Sequence, residues 1–240
     1  MNFIFIILTF LISAVIARIL IPRILLISLR KKLFDIPDDR KIHKRAIPRL
    51  GGVSFFPTTL FAFCLVYAFR MLDGDSISTL YASYLLPELL LFACGMTLLY
   101  LTGIADDLVG VRYRQKFAIQ IFCACLFPLS GLWINDLYGL FGIHELSAYV
   151  GIPFTVLTVV FITNAINLID GIDGLASGLS SVALLVFTFL FISKGLWSYA
   201  MLSAGTFGVL VPFFYYNVFG SVERAVSYTH LRAHETEADL

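Results

Sequence analysis

The chain has 240 residues, of which 59% are hydrophobic and 14% are charged, and its formal net charge is +1. A soluble domain averages about half apolar and a quarter charged residues, so this composition excludes an ordinary soluble protein. The small net charge gives no global field for nucleic acid, and we expect no nucleic-acid partner.

Long apolar runs predict seven membrane-spanning helices, because about 18 or more apolar residues can cross a bilayer. The first run continues well past Arg18 without a short apolar core and cleavage site, so we expect a retained span rather than a signal peptide. The fold class predicted is therefore all-α, a polytopic transmembrane helical bundle in the lipid bilayer. The predicted spans are Asn2–Ile27, Gly51–Leu72, Tyr84–Ile104, Phe117–Asn135, Ala148–Asn167, Leu179–Ser193 and Ser198–Tyr216.

Basic residues between the spans predict the orientation, since short cytoplasmic connections carry an excess of Lys and Arg. Eight lie between Arg30 and Arg49, and three more follow Asp107 at positions 112, 114 and 116. The alternate connections, 73–83 and 136–147, contain none. We therefore expect the N-terminus outside, and the first, third and fifth connections on the cytoplasmic face of the cell inner membrane.

The first predicted cytoplasmic connection combines basic residues with two prolines, a histidine and the terminal pair Gly51-Gly52. Prolines restrict the shape of a loop, and paired glycines allow a ligand or another backbone to approach closely. A basic loop of defined shape at the membrane surface suits a phosphate or diphosphate. The alternative is a basic cluster that faces anionic lipid, which explains the Lys and Arg residues but not the prolines and glycines.

The second predicted cytoplasmic connection begins with two adjacent carboxylates, Asp106 and Asp107. Each costs on the order of 2.5–3.5 kcal/mol if it enters the hydrocarbon, and mutual repulsion raises the pKa of at least one of them. A divalent cation with phosphate oxygens would relieve both effects. An acidic turn at the interface is the alternative interpretation.

The third predicted cytoplasmic connection has the densest polar motif, in the run 164–178. Asn167, Asp170 and Asp173 recur at every third position, a spacing that places side chains on one side of a helix. The interleaved glycines indicate a loosened helix end where the backbone can meet a ligand. Carboxylate and amide oxygens are suitable ligands for Mg²⁺ or Mn²⁺. A plain polar helix terminus would not need this density of Asn, Asp and Gly.

Together the three motifs resemble those of the polyprenyl-phosphate N-acetylhexosamine-1-phosphate transferases of glycosyltransferase family 4. The resemblance covers about residues 34–220, in the same order and with matching topology. It is carried by DDRKIHKRAIPRLGG at 38–52, DD at 106–107 and NAINLIDGIDGLASG at 164–178. The AIPRLGG form is similar to the branch that starts O-antigen, enterobacterial common antigen and teichoic acid synthesis.

The resemblance implies transfer of a sugar 1-phosphate from a UDP-N-acetylhexosamine to undecaprenyl phosphate, with Mg²⁺ or Mn²⁺ as cofactor. GlcNAc-1-phosphate is the expected group, and the product would start cell-envelope polysaccharide synthesis, including lipopolysaccharide. A homodimer is the expected assembly. The implied roles are catalytic for Asp106 and Asp107, metal-binding for Asn167 and Asp170, and substrate-binding for His43, Lys44, Arg45 and Asp173. Whether an Asp acts as a base or as a covalent nucleophile stays open.

The chain becomes abruptly polar after Arg224. The family carries a Gly-Asp-x-Gly-Ser loop and a later His-rich loop after the seventh span, and residues 225–240 match neither. We therefore expect an incomplete transferase domain at residues 1–224 and a non-native polar tail at residues 225–240. An incomplete domain predicts little or no activity from this polypeptide by itself.

Two other functions are weighed against the transferase. A lipid prenyltransferase also uses acidic motifs at membrane ends, but these tend to space Asp residues four apart rather than three. A transporter would place polar residues at mid-span, where Arg18 is the main charge here. Flux without a lipid product would favour the transporter, and UMP release that needs both substrates would favour the transferase.

Overall fold

The computed structural model describes residues 2–31, 34–35, 47–48, 51–72, 76–170, 172 and 174–219. These residues form seven α-helices and one pair of two-residue strands. The helices are α1 (Asn2–Arg30), α2 (Phe55–Leu72), α3 (Ser76–Val109), α4 (Tyr113–Leu129), α5 (Ala148–Ile169), α6 (Leu175–Ser193) and α7 (Trp197–Phe219). The antiparallel strands are β1 (Phe34–Asp35) and β2 (Ile47–Pro48).

The all-α, polytopic membrane fold is confirmed, since each predicted span overlaps one helix. Among the described residues, six helices are long and apolar enough to cross a membrane. The remaining helix, α4, has 17 residues, which is about the lower limit for a transmembrane helix.

The chain divides into two compact units. The first unit comprises Met1–Arg70 and Asp170–Leu240, and the second comprises Met71–Ile169. The first unit therefore contains α1, α2, α6 and α7, and the second contains α3, α4 and α5.

In the first unit, α1 packs in parallel against α7. The contacting pairs are Phe3 with Trp197, Phe10 with Phe207, and Ala17 with Val209. The backbones are close enough that a Cβ at Gly208 would lie 2.5 Å from the carbonyl oxygen of Phe10. Small residues allow this close approach, which in a bilayer replaces the missing hydrophobic driving force between helices.

The other helices of the first unit are antiparallel to α7. The pairs are Phe191 with Tyr199 and Gly178 with Phe214 for α6, and Arg70 with Ser198 and Phe55 with Phe213 for α2. One end of the unit therefore holds the C-termini of α1 and α7 and the N-termini of α2 and α6. Lys31, which follows α1, and Gly51, from which the chain leads into α2, therefore lie at this end.

The parallel packing of α1 and α7 bears on the number of crossings. When each helix of a chain crosses the membrane once, the direction of crossing alternates from one helix to the next. The first and seventh crossings then run in the same direction, whereas the first and sixth run in opposite directions. The packing therefore agrees with seven crossings, the short α4 included.

In the second unit, α4 is antiparallel to both α3 and α5. The pairs are Phe92 with Phe127, Gly95 with Cys123 and Asp106 with Lys116 for α3, and Gln120 with Asn164 and Ile134 with Thr155 for α5. The end of α3, the beginning of α4 and the end of α5 therefore lie at the same end of this unit.

The predicted C-terminal end of the fourth span, Asn135, is wrong. The helix α4 ends at Leu129, because Ser130 closes it and Gly131 takes a positive φ of 91°. The apolar residues beyond the end do not continue the helix. Instead the Ile134 N–H donates to Thr155 Oγ1 at 2.8 Å, which ties the connection to α5.

Candidate active site

The first predicted carboxylate, Asp106, lies in the last turn of α3 with both oxygens engaged. Its Oδ2 pairs with Lys116 Nζ at 2.9 Å, and its Oδ1 accepts a hydrogen bond from the Val111 N–H at 2.9 Å. Gly110 makes the turn possible with a positive φ of 73°. Asp106 therefore closes the short connection between α3 and α4.

Each charge of this pair lies at the end of its own helix where the helix dipole is unfavourable for it. Asp106 is near the negative C-terminal end of α3, and Lys116 is in the positive first turn of α4, so each is unfavourable on its own helix. Pairing across the two helices offsets both penalties, and each side chain is 31% exposed. Asp107 is half-buried beside Asp106 at the same helix end.

The first half of the third motif lies in the last turns of α5. The Asn164 Nδ2 donates to Gln120 Oε1 at 2.9 Å and to the carbonyl oxygen of Val160 at 2.8 Å. Gln120 is 6% exposed, whereas Asn167, one turn further on, is exposed. The exposed amide of Asn167 can reach a ligand, whereas the amide nitrogen of Asn164 is already bonded to Gln120 and Val160.

The second unit thus brings part of two predicted motifs together. Asp106 and Asp107 at the end of α3, and Asn167 at the end of α5, lie at the same end of the unit, because α4 is antiparallel to both helices. The basic residues of the connections predict that these motifs lie on one membrane face. The catalytic role of the two Asp residues and the metal-binding role of Asn167 stay predictions.

Asp170 directly follows α5 and belongs to the first unit. Its side chain as a whole is exposed, but surrounding protein shields part of the carboxyl group, and this desolvation raises the pKa of Asp170. A shielded carboxylate gains more from a nearby cation than a fully hydrated one does. Asp170 therefore suits the predicted role of a metal ligand, although that role is untested.

The second half of the third motif is fixed to the end of α7. The Gly174 N–H donates to Asn217 Oδ1, and Gly174 has a positive φ of 77° at the N-terminus of α6. A Cβ at this glycine would overlap Val218 Cγ2. Both the backbone conformation and the packing therefore require glycine here.

Four predicted substrate-binding residues lie outside the described residues. They are His43, Lys44, Arg45 and Asp173. His43, Lys44 and Arg45 belong to the basic loop, whose described parts β1 and β2 pair Phe34 with Pro48 and Asp35 with Ile47. This ladder closes the base of the basic loop at the end of the first unit that also holds Gly174 and Asn217.

The predicted metal ligands Asn167 and Asp170 each offer an oxygen donor, which is the kind of ligand that a hard divalent cation prefers. In the part of the chain that the structure describes, no group of three or more His, Cys, Asp or Glu side chains is arranged to hold a metal ion. The fit therefore rests on the chemistry of the donors and not on an assembled centre.

Sequence reasoning missed the partners that hold the motifs. Lys116 was used only as a topology signal, although it pairs with Asp106. Gln120 was not considered, although a polar side chain inside an apolar run is a signal of function or packing. Asn217 lies 43 residues from Gly174, and nothing in the local pattern predicts that contact.

Comparison with known proteins gives a family match over residues 89–222, to the model described as Glycosyl transferase family 4. The matched segment covers more than half of the chain and includes both carboxylates, the whole of the third motif and Asn217. It also contains α4, with Lys116 and Gln120.

Curated relatives carry related names. A probable undecaprenyl-phosphate N-acetylglucosaminyl 1-phosphate transferase of Bacillus subtilis (strain 168) is 29% identical over 213 residues, which are 88% of this chain and 55% of the relative. A phospho-N-acetylmuramoyl-pentapeptide-transferase of Staphylococcus carnosus (strain TM300) is 29% identical over 228 residues, 89% of this chain and 65% of the relative.

An undecaprenyl-phosphate alpha-N-acetylglucosaminyl 1-phosphate transferase of Thermotoga maritima is 30% identical over 168 residues, 70% of this chain and 47% of the relative. The chain thus spans about half to two thirds of the length of these relatives. The matched family model, the multi-pass helical fold and the motif-bearing helix ends agree, and the chain belongs to glycosyl transferase family 4.

Proposed function

We propose that this chain is the membrane-embedded part of a transferase that moves a sugar 1-phosphate from a UDP-sugar to undecaprenyl phosphate. An acceptor phosphate oxygen would attack the sugar-linked phosphorus of the donor. One phosphorus–oxygen bond forms, the bond to UMP breaks, and the products are a lipid diphosphosugar and UMP. The observation that carries the proposal is the common position of Asp107 and Asn167 at one end of the second unit.

The chemistry requires two polyanions to meet, so their negative charge must be neutralised and held in place. A bound Mg²⁺ or Mn²⁺ would supply that neutralisation, with Asn167, Asp170 and Asp173 as its proposed ligands or nucleotide-sugar contacts. His43, Lys44 and Arg45 of the basic loop are proposed to contact phosphate.

The two carboxylates are the proposed catalytic groups. Asp106 pairs with Lys116 and accepts a hydrogen bond from the Val111 N–H, so it also holds the turn between α3 and α4. Asp107 lies half-buried at the same helix end and is proposed to meet the acceptor phosphate. It would orient that phosphate or accept its proton at the interface, where the lipid-borne acceptor and the cytosolic donor can both arrive.

GlcNAc-1-phosphate is the proposed group. The names of the relatives from Bacillus subtilis and Thermotoga maritima support it, as does the AIPRLGG form at 46–52. The relative from Staphylococcus carnosus is named for a different sugar, and a panel of UDP-sugars distinguishes the two donors. The expected homodimer stays a prediction.

The test is a radiolabel assay in membranes that contain a chimera, because little activity is expected from the chain by itself. In the chimera, residues 1–219 replace the aligned part of the Bacillus subtilis relative, which supplies the length that the alignment leaves out. With undecaprenyl phosphate and a panel of UDP-sugars, we expect labelled lipid and UMP to form only when donor, acceptor and Mg²⁺ are all present. A well-folded chimera with no lipid product from any UDP-sugar would contradict the proposal.

A further inference from the structure

The helix α4 connects two predicted motifs through two side chains on one of its faces. Lys116 pairs with Asp106 on α3, and Gln120 accepts a hydrogen bond from Asn164 on α5. Residues four apart lie on the same face of a helix. A single face of α4 therefore touches the ends of both neighbouring helices.

We infer that Lys116 and Gln120 are positioning residues, which hold the Asp106-Asp107 pair and the Asn164–Asn167 turn at a fixed separation. The inference builds on the proposed function, because it assigns these two residues a task in the same site. Neither residue has to touch substrate for this task.

The burial of Gln120 supports its role as a positioning residue. The residue is 6% exposed and lies seven residues into α4, where an unsatisfied amide would be costly in an apolar environment. Its Oε1 is bonded to Asn164 Nδ2 at 2.9 Å, and the same nitrogen is fixed to Val160 on its own helix. The orientation of the Asn164 amide is therefore set from two sides.

The surroundings of Gln120 also show that the three helices meet at this face. One cavity of the second unit is lined by Gln120 of α4, by Gly95 and Leu99 of α3, and by Val159 and Thr163 of α5. Apolar packing alone lets helices slide, whereas a salt bridge and a directed hydrogen bond fix the register. Loss of either bond should loosen one helix end relative to the other.

The direct test measures the separation of the two helix ends. Spin labels at Val109 and Leu168, which are 82% and 81% exposed, report the distance between the ends of α3 and α5 in a chain without its native cysteines. We expect a narrow distance distribution in the parent and a broadened or shifted one in Lys116→Met/Gln120→Leu. A matched control is Gln115→Leu, an exposed glutamine on the same helix, which should leave the distribution unchanged.

Conservative variants separate positioning from a general folding defect. Lys116→Arg keeps the cation for Asp106, and Gln120→Glu keeps an oxygen that can accept a hydrogen bond from Asn164. Each of these variants should therefore show the narrow distance distribution of the parent. The distance distributions are compared only for variants whose melting temperature in detergent equals that of the parent. A double variant that folds and gives the parent distribution would overturn the inference, as would failure of both conservative variants to restore it.

An activity readout tests the same inference in an active chain or chimera. A displacement of reacting groups by about 1 Å can cost on the order of 100-fold in rate, so the double variant should lose about that much in kcat with a smaller change in the KM of the UDP-sugar. An unchanged kcat would overturn the inference. Since the distance measurement needs no catalysis, an inactive but well-folded chimera would contradict the proposed function and leave the positioning result standing.

Discussion

Asp106 and Asp107 are adjacent in the sequence and both lie in the last turn of α3. The carboxylate of Asp106 bridges Lys116 and the Val111 N–H, and this bridge closes the turn between α3 and α4. Asp106 therefore has a structural task in addition to the catalytic role that is proposed for both residues.

Removing each charge has a separate expected effect. Asp107→Asn should reduce product formation by about 10²- to 10⁴-fold, the range typical of a lost acid–base group. The loss in Asp106→Asn should include the loss of its pairing with Lys116, so that combining it with Lys116→Met adds little to either single change. Initial rates of the parent chimera and these four variants in the radiolabel assay check this, and fully additive losses would show that Asp106 and Lys116 act independently.

The raised pKa of Asp170 makes a prediction about stability. Above that raised pKa the charged carboxylate is disfavoured in the folded state, which lowers the free energy of unfolding. Below the ordinary value of 3.8 the group is neutral in both states, and the penalty disappears. With EDTA present, Asp170→Asn should therefore raise the melting temperature at neutral pH and have no effect in acid. A lower melting temperature at neutral pH would contradict the direction of the shift.

The same samples test the proposed metal. A ligand that binds the folded state stabilises it by mass action, so Mg²⁺ should raise the melting temperature of the parent chain. Asp170→Asn should lose most of that rise, whereas the exposed-residue variant Gln115→Leu should keep it. An equal rise in all three chains would remove Asp170 from the metal site.

The sequence predicted residue types and their order but not their partners. The Asn/Asp/Gly motif was recognisable because its residues are close together in the chain. The contacts from Gln120 to Asn164 and from Asn217 to Gly174 join positions more than 40 residues apart, and they depend on the register between packed helices. A local pattern contains no information about that register.

At the scale of elements, glycines fix where helices begin and end. Gly174 combines a positive φ with a contact that leaves no room for a side chain. Gly195, in the same unit, has a positive φ of 71° but open space around it. Alanine substitutions at the two glycines therefore distinguish the cost of the backbone conformation from the cost of steric overlap.

We expect Gly195→Ala to cost about 1–2 kcal/mol, the strain of a left-handed residue. Gly174→Ala should cost more, because the new methyl group overlaps Val218 and displaces the Asn217 bond. Unfolding by denaturant in detergent compares the two chains. Equal losses would show that the end of α7 can move away from α6, and that Asn217 does not fix the third motif.

Helix ends were also where sequence reasoning failed. The fourth span was extended to Asn135 because Leu132, Trp133 and Ile134 continue the apolar run. The helix instead ends at Leu129, and Trp133 and Ile134 pack against the backbone of Gly151. Hydrophobicity predicts that these residues avoid water, but it does not distinguish a helix from a packed connection.

At the scale of the whole molecule, the parallel arrangement of α1 and α7 supports seven crossings, and the basic connections predict which face is cytoplasmic. Alkaline phosphatase needs an oxidising compartment, so fusions report the side directly. We expect an active fusion after Gly142 and inactive fusions after Arg30 and Arg112, in a bacterium with a periplasm. The reverse pattern would place the acidic motifs outside and exclude a cytosolic UDP-sugar as donor.

In the proposed transferase, the ends of α3 and α5 serve a phosphosugar transfer to a lipid phosphate. The decisive assay follows labelled UDP-GlcNAc into undecaprenyl-linked product in membranes that hold the chimera with the Bacillus subtilis relative, with Asp107→Asn as the matched variant. We expect labelled lipid that requires undecaprenyl phosphate and Mg²⁺ and falls at least about 100-fold in Asp107→Asn. Equal product from the chimera with and without Asp107→Asn would remove Asp107 from the active site and contradict this assignment.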